Sequence, residues 1–430
     1  MRFSAFGLAV VVSLCTAFGL AACGASSDDP ADGGTGEGGG GDGSTSDGPI
    51  GDGSPADDAS NDGASNDASD AGTDADAGQD AGPPAVQLIG RFDTTDPAMP
   101  ATAWPGGRIV ARFNGTSATL TLTQTFDGFS GGPSWFNVIV DGTPQAPFSI
   151  DAAGSPIDHV VDGLAAGDHT IEFEKRTEAK NGTVKLVGLT FAGGTGLLPP
   201  PLRKNRRIEF IGESTIDGFG VEGTAATCGA SAAPHEFDNV RKSITHFTAT
   251  SLAAEAHVLG YSGKGVAINS FALDLDVMPI LFGRALPIMM GGGGTPWTFA
   301  NWTPDVVVIS LGGVDYLNGV SAAPANFRTK YGEFIANIRT QYGASTHIFL
   351  TVWSQVKDLG GDFNQRTALT ADLDALVTAR QGVGDNKVYR YQFPVAAMTD
   401  ETGCLSHANE AHHQAMANLL VTEIKSKTGW

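Results

Sequence analysis

Residues 24–84 divide this 430-residue chain more sharply than any motif in it. Runs such as GTGEGGGGDG and GASNDASDAGTDADAG hold almost no large apolar side chain. They cannot bury enough surface to offset the entropy lost on ordering. The segment carries fifteen Asp and Glu residues and no Lys or Arg, and reads as a solvated acidic tether. As a random coil it would span about 40 Å, further if its charges repel. Any core must therefore come from residues 85–430, a length sufficient for two domains. The tether also supplies most of the formal net charge of −21, so the foldable part is only mildly acidic. No basic face remains to neutralise phosphates, which excludes nucleic acid as a partner.

Ahead of the tether, MRFSAFGLAVVVSLCTAFGLAAC places Arg2 before an uncharged apolar run and small residues before a cysteine. That is the layout of a secretory signal. Leu20-Ala21-Ala22-Cys23 resembles the bacterial lipobox. It implies a signal over residues 1–23, a lipid on Cys23, and an exported chain anchored at the cell surface or periplasmic face of a bacterial membrane. A plain signal peptide cut nearby is the other reading. Gly24 after the cysteine is compatible with outer-membrane delivery. With Cys15 leaving in the signal, Cys228 and Cys404 remain, and two cysteines in an exported chain suggest a pair. Chain entropy predicts roughly 5 kcal/mol of stabilisation from so long a closed loop. Two free buried thiols are the alternative.

Residues 85–198 read as strands. Arg108–Phe113, Ala118–Thr123, Trp135–Val140 and His169–Glu174 are β-rich runs, and no helix-period pattern intervenes. Asn114-Gly115, Asp141-Gly142, Gly167-Asp168 and Asn181-Gly182 sit at the spacing expected of hairpins in an all-β sandwich. Such a domain could bind sugar or pack on its neighbour, and packing is favoured because no exposed aromatic row stands out. Pro199-Pro200-Pro201 then marks a stiff connector.

Residues 203–430 alternate apolar strands with helical stretches. Ile208–Ile211, Val306–Leu311, His347–Val352 and Lys387–Phe393 are the strand runs, and Pro324–Tyr342 and Asn409–Lys425 read as helices. The alternation implies an α/β domain, a parallel sheet between helices, with ligands bound beyond the carboxyl ends of the strands. Ser214, Gly313 and Val352 fall at such ends. A serine at a strand-to-turn junction can expose its hydroxyl and point its own N–H at a bound carbonyl, although serines there are more often helix caps. His407 follows the last strand and precedes the last helix, which brings it to the same sheet edge. His412 and His413 fall inside that helix, where a packed or surface role is expected.

Four blocks in order then give the chain a resemblance. They are Gly212-Glu-Ser-Thr-Ile-Asp-Gly-Phe-Gly220, Tyr261-Ser-Gly-Lys-Gly-Val266, Trp302-Thr-Pro followed by Leu311-Gly-Gly-Val-Asp315, and Gly403-Cys-Leu-Ser-His407 followed by His413-Gln-Ala-Met-Ala417. They resemble the SGNH (GDSL-like) hydrolases and, more closely, family 2 of the carbohydrate esterases. Phe113-Asn-Gly-Thr116, Val140-Asp-Gly142 and Lys175-Arg-Thr-Glu178 extend the likeness into the β-rich half. The resemblance implies a jelly-roll domain ahead of a flavodoxin-like esterase domain, and removal of acetyl groups from polysaccharide such as xylan or glucomannan. It implies Ser214 as nucleophile, His407 as base, and the Ser214 and Gly263 N–H groups as oxyanion donors. It requires no cofactor and no metal, and no His/Cys/Asp cluster at metal spacing is present. A Cys228–Cys404 bridge would join the loop after the serine to the loop carrying the histidine.

Three departures mark this sequence. The third-block Asn, an oxyanion donor in the family, is Val314, which has nothing to donate; Asn318 or Asn301 could substitute. The Asp that would orient the histidine is Leu405, leaving a Ser–His dyad held by a backbone carbonyl, or Asp400 or Glu401 in its place. The Pro after the histidine is Ala408. Asp315 reads as a helix cap. Trp297, Trp302 and Trp353 are candidates for stacking on sugar rings, though each is more often a core residue than a platform, and Gly291–Gly294 reads as an active-site loop. An active esterase is the main reading. A glycan-binding protein descended from one is the alternative, and a long-chain lipase or thioesterase is disfavoured by the lack of an apolar lid segment.

Overall fold

The computed structural model describes residue 83 and residues 85–430 apart from 127–130, 152–153, 229–234, 272, 288–293, 318–323 and 361–362. The expected signal, Cys23 as the expected lipid site, the tether, Asn318 and most of the Gly291–Gly294 run lie outside the described residues.

The β-rich half forms two antiparallel sheets. In one, Gln87–Ile89, Arg108–Gly115, Gly167–Lys175, Ser134–Val140 and Thr143–Pro144 follow in that spatial order, with Gly196–Leu198 and Phe148–Ile150 attached. In the other the order is Ala101–Thr102, Thr183–Ala192, Ser117–Thr125 and Ile157–Val161. Along Ser117–Thr125 burial alternates residue by residue, because successive side chains point to opposite faces. The inward set joins Phe113, Leu120, Leu122, Phe136, Ile171 and Phe173 in one core.

The turn signals did not all make hairpins. Asp141-Gly142 does: Val140 pairs with Thr143 across a two-residue loop, and both loop residues have positive φ, at 49° and 76°, as a type I′ turn requires. Asn114-Gly115, Gly167-Asp168 and Asn181-Gly182 instead lie where the chain passes from one sheet to the other. Arg108–Gly115 and Ser117–Thr125 are adjacent in sequence yet pair with Gly167–Lys175 and Thr183–Ala192, respectively. Turn residues report a reversal, not which sheet receives the next strand.

In the second half, β1 (Arg206–Gly212), β2 (Ala254–Gly260), β3 (Val306–Ser310), β4 (His347–Val352) and β5 (Val388–Gln392) form a wholly parallel sheet in the order β2-β1-β3-β4-β5. This is the order of flavodoxin-like sheets, whose switch point lies between β1 and β3. Every residue of β3 is buried, as a sheet covered on both faces demands. Gly212 stands in register with Gly260 on one side and Ser310 on the other. The residues that follow each strand therefore leave the sheet at one edge.

Four longer helices cover it: α1 (Ile244–Ser251), α2 (Phe327–Tyr342), α3 (Gln365–Gly382) and α4 (Glu410–Thr428). Helix α1 packs with α4, and α2 with α3. On α2, Phe327, Tyr331, Phe334, Ile335, Ile338 and Tyr342 form the buried stripe that a 3.6-residue period places on one face. The Asn409 side chain accepts from the His412 N–H and caps α4, and Gly429 closes it at φ 77°.

The two halves share an interior. Trp104 and Ala179, from the β-rich half, belong to the same apolar cluster as Ile211, Val308 and Phe349. Arg91 forms a fully buried ion pair with Glu209 of β1 at 2.8 Å, and the Tyr342 hydroxyl donates to the same carboxylate at 2.8 Å. The β-rich half thus packs on the sheet that carries the site.

Candidate active site

Strand β1 ends at Gly212, and Glu213, Ser214 and Thr215 turn away from the sheet at its carboxyl edge. A Cβ at Gly212 would press on the Ser310 carbonyl, so the turn after β1 can leave the sheet tightly only from glycine. Ser214 Oγ lies 2.8 Å from His407 Nε2, and His407 Nδ1 lies 3.0 Å from the Cys404 carbonyl oxygen. A carbonyl only accepts, so Nδ1 carries the hydrogen and Nε2 is left to accept from the serine. Burial pulls the His407 pKa below its ordinary value, against the Cys404 carbonyl, which favours the charged ring. The imidazole is therefore neutral at neutral pH. The Phe219 ring, 4.6 Å away between centroids, walls it on one side.

The loop holding His407 is irregular. Leu405 and Ser406 adopt φ of 51° and 60°, a left-handed conformation unfavourable for side chains of this kind. It is held in place from several directions. Cys404 is disulfide-bonded to Cys228, its N–H donates to the Gly220 carbonyl at 3.0 Å, and Gln355 Nε2 donates to the Ser406 carbonyl at 2.7 Å. Gly220 is at φ 58°, and a Cβ there would collide with the Cys404 side chain. The last glycine of the first block is thus what lets the serine-side loop lie directly on the histidine-side loop.

A cleft of about 460 Å³ opens over the pair, lined by Glu213, Ser214, Gly263, Gly313, Trp353 and His407 among others. Gly263 has φ 74°, in a loop that Asp315 secures: its carboxylate accepts from the N–H groups of Val266, Ala267 and Ile268 at 2.8, 2.7 and 3.1 Å. The expected helix-cap role of Asp315 is replaced by this bridge from the short helix Gly313–Leu317 to the loop through Val266–Ile268. Val314 is buried and offers no donor.

Asp400 and Glu401 do not orient His407. The Asp400 carboxylate accepts from the Ala397 N–H at 2.8 Å and faces His412 at 3.5 Å, while Glu401 pairs with Lys357 at 2.7 Å on the cleft wall. The Cys404 carbonyl orients the ring instead, because the turn through Leu405 and Ser406 folds it back under His407. Trp353 reaches the cleft, with its N–H on Gln355 Oε1 at 3.1 Å. Trp302 does not: it stacks on His257 at 3.6 Å and donates to Glu255 at 2.7 Å inside the core. Trp297 faces Arg91, whose guanidinium carbon is 5.2 Å from its ring centroid. His412 and His413 are packed, on Ser354 Oγ and the Ile244 N–H, respectively.

Two participants escaped the sequence. Arg366 of α3 donates to the Trp353 and Val356 carbonyls at 3.2 and 3.0 Å and holds the cleft wall from behind. Glu213 lies between Ser214 and Gly313, with Oε2 3.3 Å from Ser214 Oγ. Its position beside the nucleophile in the first block was the available signal. Among the described residues, no group of three or more His, Cys, Asp or Glu could hold a metal.

Residues 88–201 match the family model described as Carbohydrate esterase 2 N-terminal. The chain is 36% identical over 347 residues to the cellulase/esterase CelE of Acetivibrio thermocellus, covering 81% of this chain but only 40% of CelE. It is 24% identical over 352 residues to an acetylxylan esterase / glucomannan deacetylase of Cellvibrio japonicus, covering 81% of this chain and 91% of that one. A family two carbohydrate esterase from Clostridium thermocellum, solved in complex with cellohexaose, superposes with a TM-score of 0.72 at 34% identity, over 80% of this chain and 100% of that one. The chain belongs to carbohydrate esterase family 2, a family of carboxylic ester hydrolases.

Proposed function

We propose that this chain removes O-acetyl groups from a polysaccharide of the xylan or glucomannan type, using Ser214 and His407 as a dyad. The observation that carries the reading is the 2.8 Å contact between Ser214 Oγ and a His407 Nε2 left free to accept, at the floor of an open cleft. Ser214 Oγ attacks the acetyl carbonyl as its proton passes to Nε2. The Cys404 carbonyl holds Nδ1–H throughout, so the ring keeps its tautomer and gains a proton only at Nε2. The Ser214 and Gly263 N–H groups receive the oxyanion. Collapse breaks the bond to the sugar oxygen, which takes the proton from Nε2 and leaves an acetyl-serine. Water then attacks that ester, giving its proton to Nε2, and collapse returns a proton to Ser214 and releases acetate. Trp353 on the cleft wall is suited to contact a sugar ring.

The β-rich half, as a jelly roll, supports the esterase domain by packing. We extend the proposal to the N-terminus: export, a lipid on Cys23, and the acidic tether together would let the enzyme work on polymer outside the cell. The second reading, a glycan-binding protein with little turnover, is favoured by Val314 alone. Purified chain should release acetate from acetylated xylan or glucomannan, and Ser214→Ala should abolish release. Equal rates in the two proteins would sink the proposal, and tight polysaccharide binding with no Ser214-dependent turnover would select the second reading.

A further inference from the structure

A single hydrogen limits how this cleft can be wired. Ser214 Oγ carries one, and the 2.8 Å contact to His407 Nε2 uses it, because Nδ1 of the same ring donates to Cys404. Yet Glu213 Oε2 lies 3.3 Å from that Oγ. An ionised carboxylate there would set two acceptors against each other. A protonated one donates to Oγ and completes a chain in which Glu213 donates to Ser214, Ser214 to His407, and His407 to Cys404.

The surroundings favour the proton. Enclosure first, and then the Glu178 and Asp315 carboxylates, push the Glu213 pKa up to about 7, against the neighbouring Ser214 and Thr215 hydroxyls, which pull it down. Glu178 is itself paired with Lys180, and Asp315 is held by three backbone N–H groups. The remaining charged groups on the cleft are the Lys357–Glu401 ion pair and His407, which is neutral in the resting enzyme. Among the described residues no cation touches the Glu213 carboxyl, which lies against the Ser214 and Thr215 hydroxyls.

Geometry supplies the role. The oxyanion formed when Oγ attacks hangs one bond beyond the attacked carbon; among the described cleft side chains, Glu213 and His407 lie within hydrogen-bond distance of Oγ, and His407 is engaged with the Oγ proton, which leaves Glu213 to meet the oxyanion. Glu213 lines the cleft together with Ser214, Gly263 and Gly313; Val314, next in the chain after Gly313, is buried and has no polar side-chain atom to offer. We propose that the Glu213 carboxyl is the third oxyanion donor of this enzyme, an acid O–H in the place that Val314 leaves without one. The proposal rests on the esterase reading above. In the resting state the O–H points at Ser214 Oγ; once Oγ is bonded to the acyl carbon it turns to the oxyanion. The proton stays on Glu213, and only His407 exchanges one with substrate.

Turnover then needs a neutral His407 and a protonated Glu213. The rate rises with pH as His407 loses its proton, at a pH below the ordinary histidine value, and falls as Glu213 ionises near 7. The test compares full-length wild type with Ser214→Ala, Glu213→Leu, Glu213→Gln and Glu213→Leu/Val314→Asn, each checked for an unchanged far-ultraviolet spectrum. Glu213→Leu should lower kcat by roughly a hundredfold with little change in KM. Glu213→Gln, a donor that cannot ionise, should keep a higher kcat than Glu213→Leu and lose the alkaline fall. Adding Val314→Asn to Glu213→Leu should restore part of kcat. A Glu213→Leu enzyme within about threefold of wild type, or a Glu213→Gln enzyme that still declines above neutrality, overturns the proposal. If Glu213→Leu does not fold, the Glu213→Gln profile decides alone. A wild type without Ser214-dependent acetate release overturns the esterase reading and this one with it, whereas full turnover in Glu213→Leu overturns this one only.

Discussion

The two loops that meet at the cleft are built on opposite principles. Ser214 follows β1 by two residues, and β1 is hydrogen-bonded in register on both sides, to β2 and β3. Its position is inherited from a repeating ladder. His407 follows no strand directly. It sits after two left-handed residues and is located by one disulfide, the hydrogen bond from the Cys404 N–H to the Gly220 carbonyl, and a glutamine side chain. A nucleophile can ride on regular structure because only its own hydroxyl must be placed. A base must be placed relative to that hydroxyl, and here irregular contacts do it one at a time.

The comparison can be broken first at the chemistry. His407→Ala should lower kcat by roughly ten thousandfold, and Ser214→Ala/His407→Ala should be no worse than either single change, since the two act as a unit. Additive losses, measured as acetate release, would mean that the loops work separately. Next comes the tie. Cys228→Ala/Cys404→Ala should lower stability by about 2–5 kcal/mol, read from denaturant unfolding, and should reduce kcat more than it raises KM, because it loosens only the histidine side. An unchanged kcat in the folded double variant would assign positioning to the hydrogen bonds alone. Smallest is Leu405→Gly, which relieves φ 51° but loosens the unfolded chain. Thermal melting should move by no more than about 1 kcal/mol equivalent, with turnover retained; a large loss of turnover would show that the backbone strain itself places the ring.

What the sequence makes legible follows the same division. The strand runs at Ile208–Ile211, Val306–Leu311 and His347–Val352 fall in β1, β3 and β4, because a sheet buried on both faces writes itself as continuous apolar residues. Strand β2, Ala254–Gly260, escaped: AEAHVLG breaks the apolar run with Glu255, which accepts from the Trp302 N–H, and His257, which stacks on the Trp302 ring. Helix α3 escaped because its buried face mixes polar Gln365 and Arg366 with Leu369, Leu373 and Leu376, which thins the apolar stripe that marks a helix. The pairing of Cys228 with Cys404 was readable from a count of two. What holds the His407 ring was not, because a backbone carbonyl belongs to every residue, and only the fold says that Cys404 presents one there. Trp302 and Trp353 have the same side chain, and their different places, core and cleft, depend on which end of a strand each adjoins. Asp315 and Glu213 were visible as letters, but their partners lie in loops that sequence spacing does not bring together.

The disulfide has a last consequence, for damage. Residues 228 and 404, 176 positions apart in the chain, close a ring that includes β2, β3, β4, β5, α1, α2 and α3. A single proteolytic nick inside that ring separates nothing: both fragments stay covalently joined, and the serine-bearing piece keeps the histidine-bearing piece beside it. On a gel such a nicked molecule would run as one species until a thiol is added, and as two afterwards.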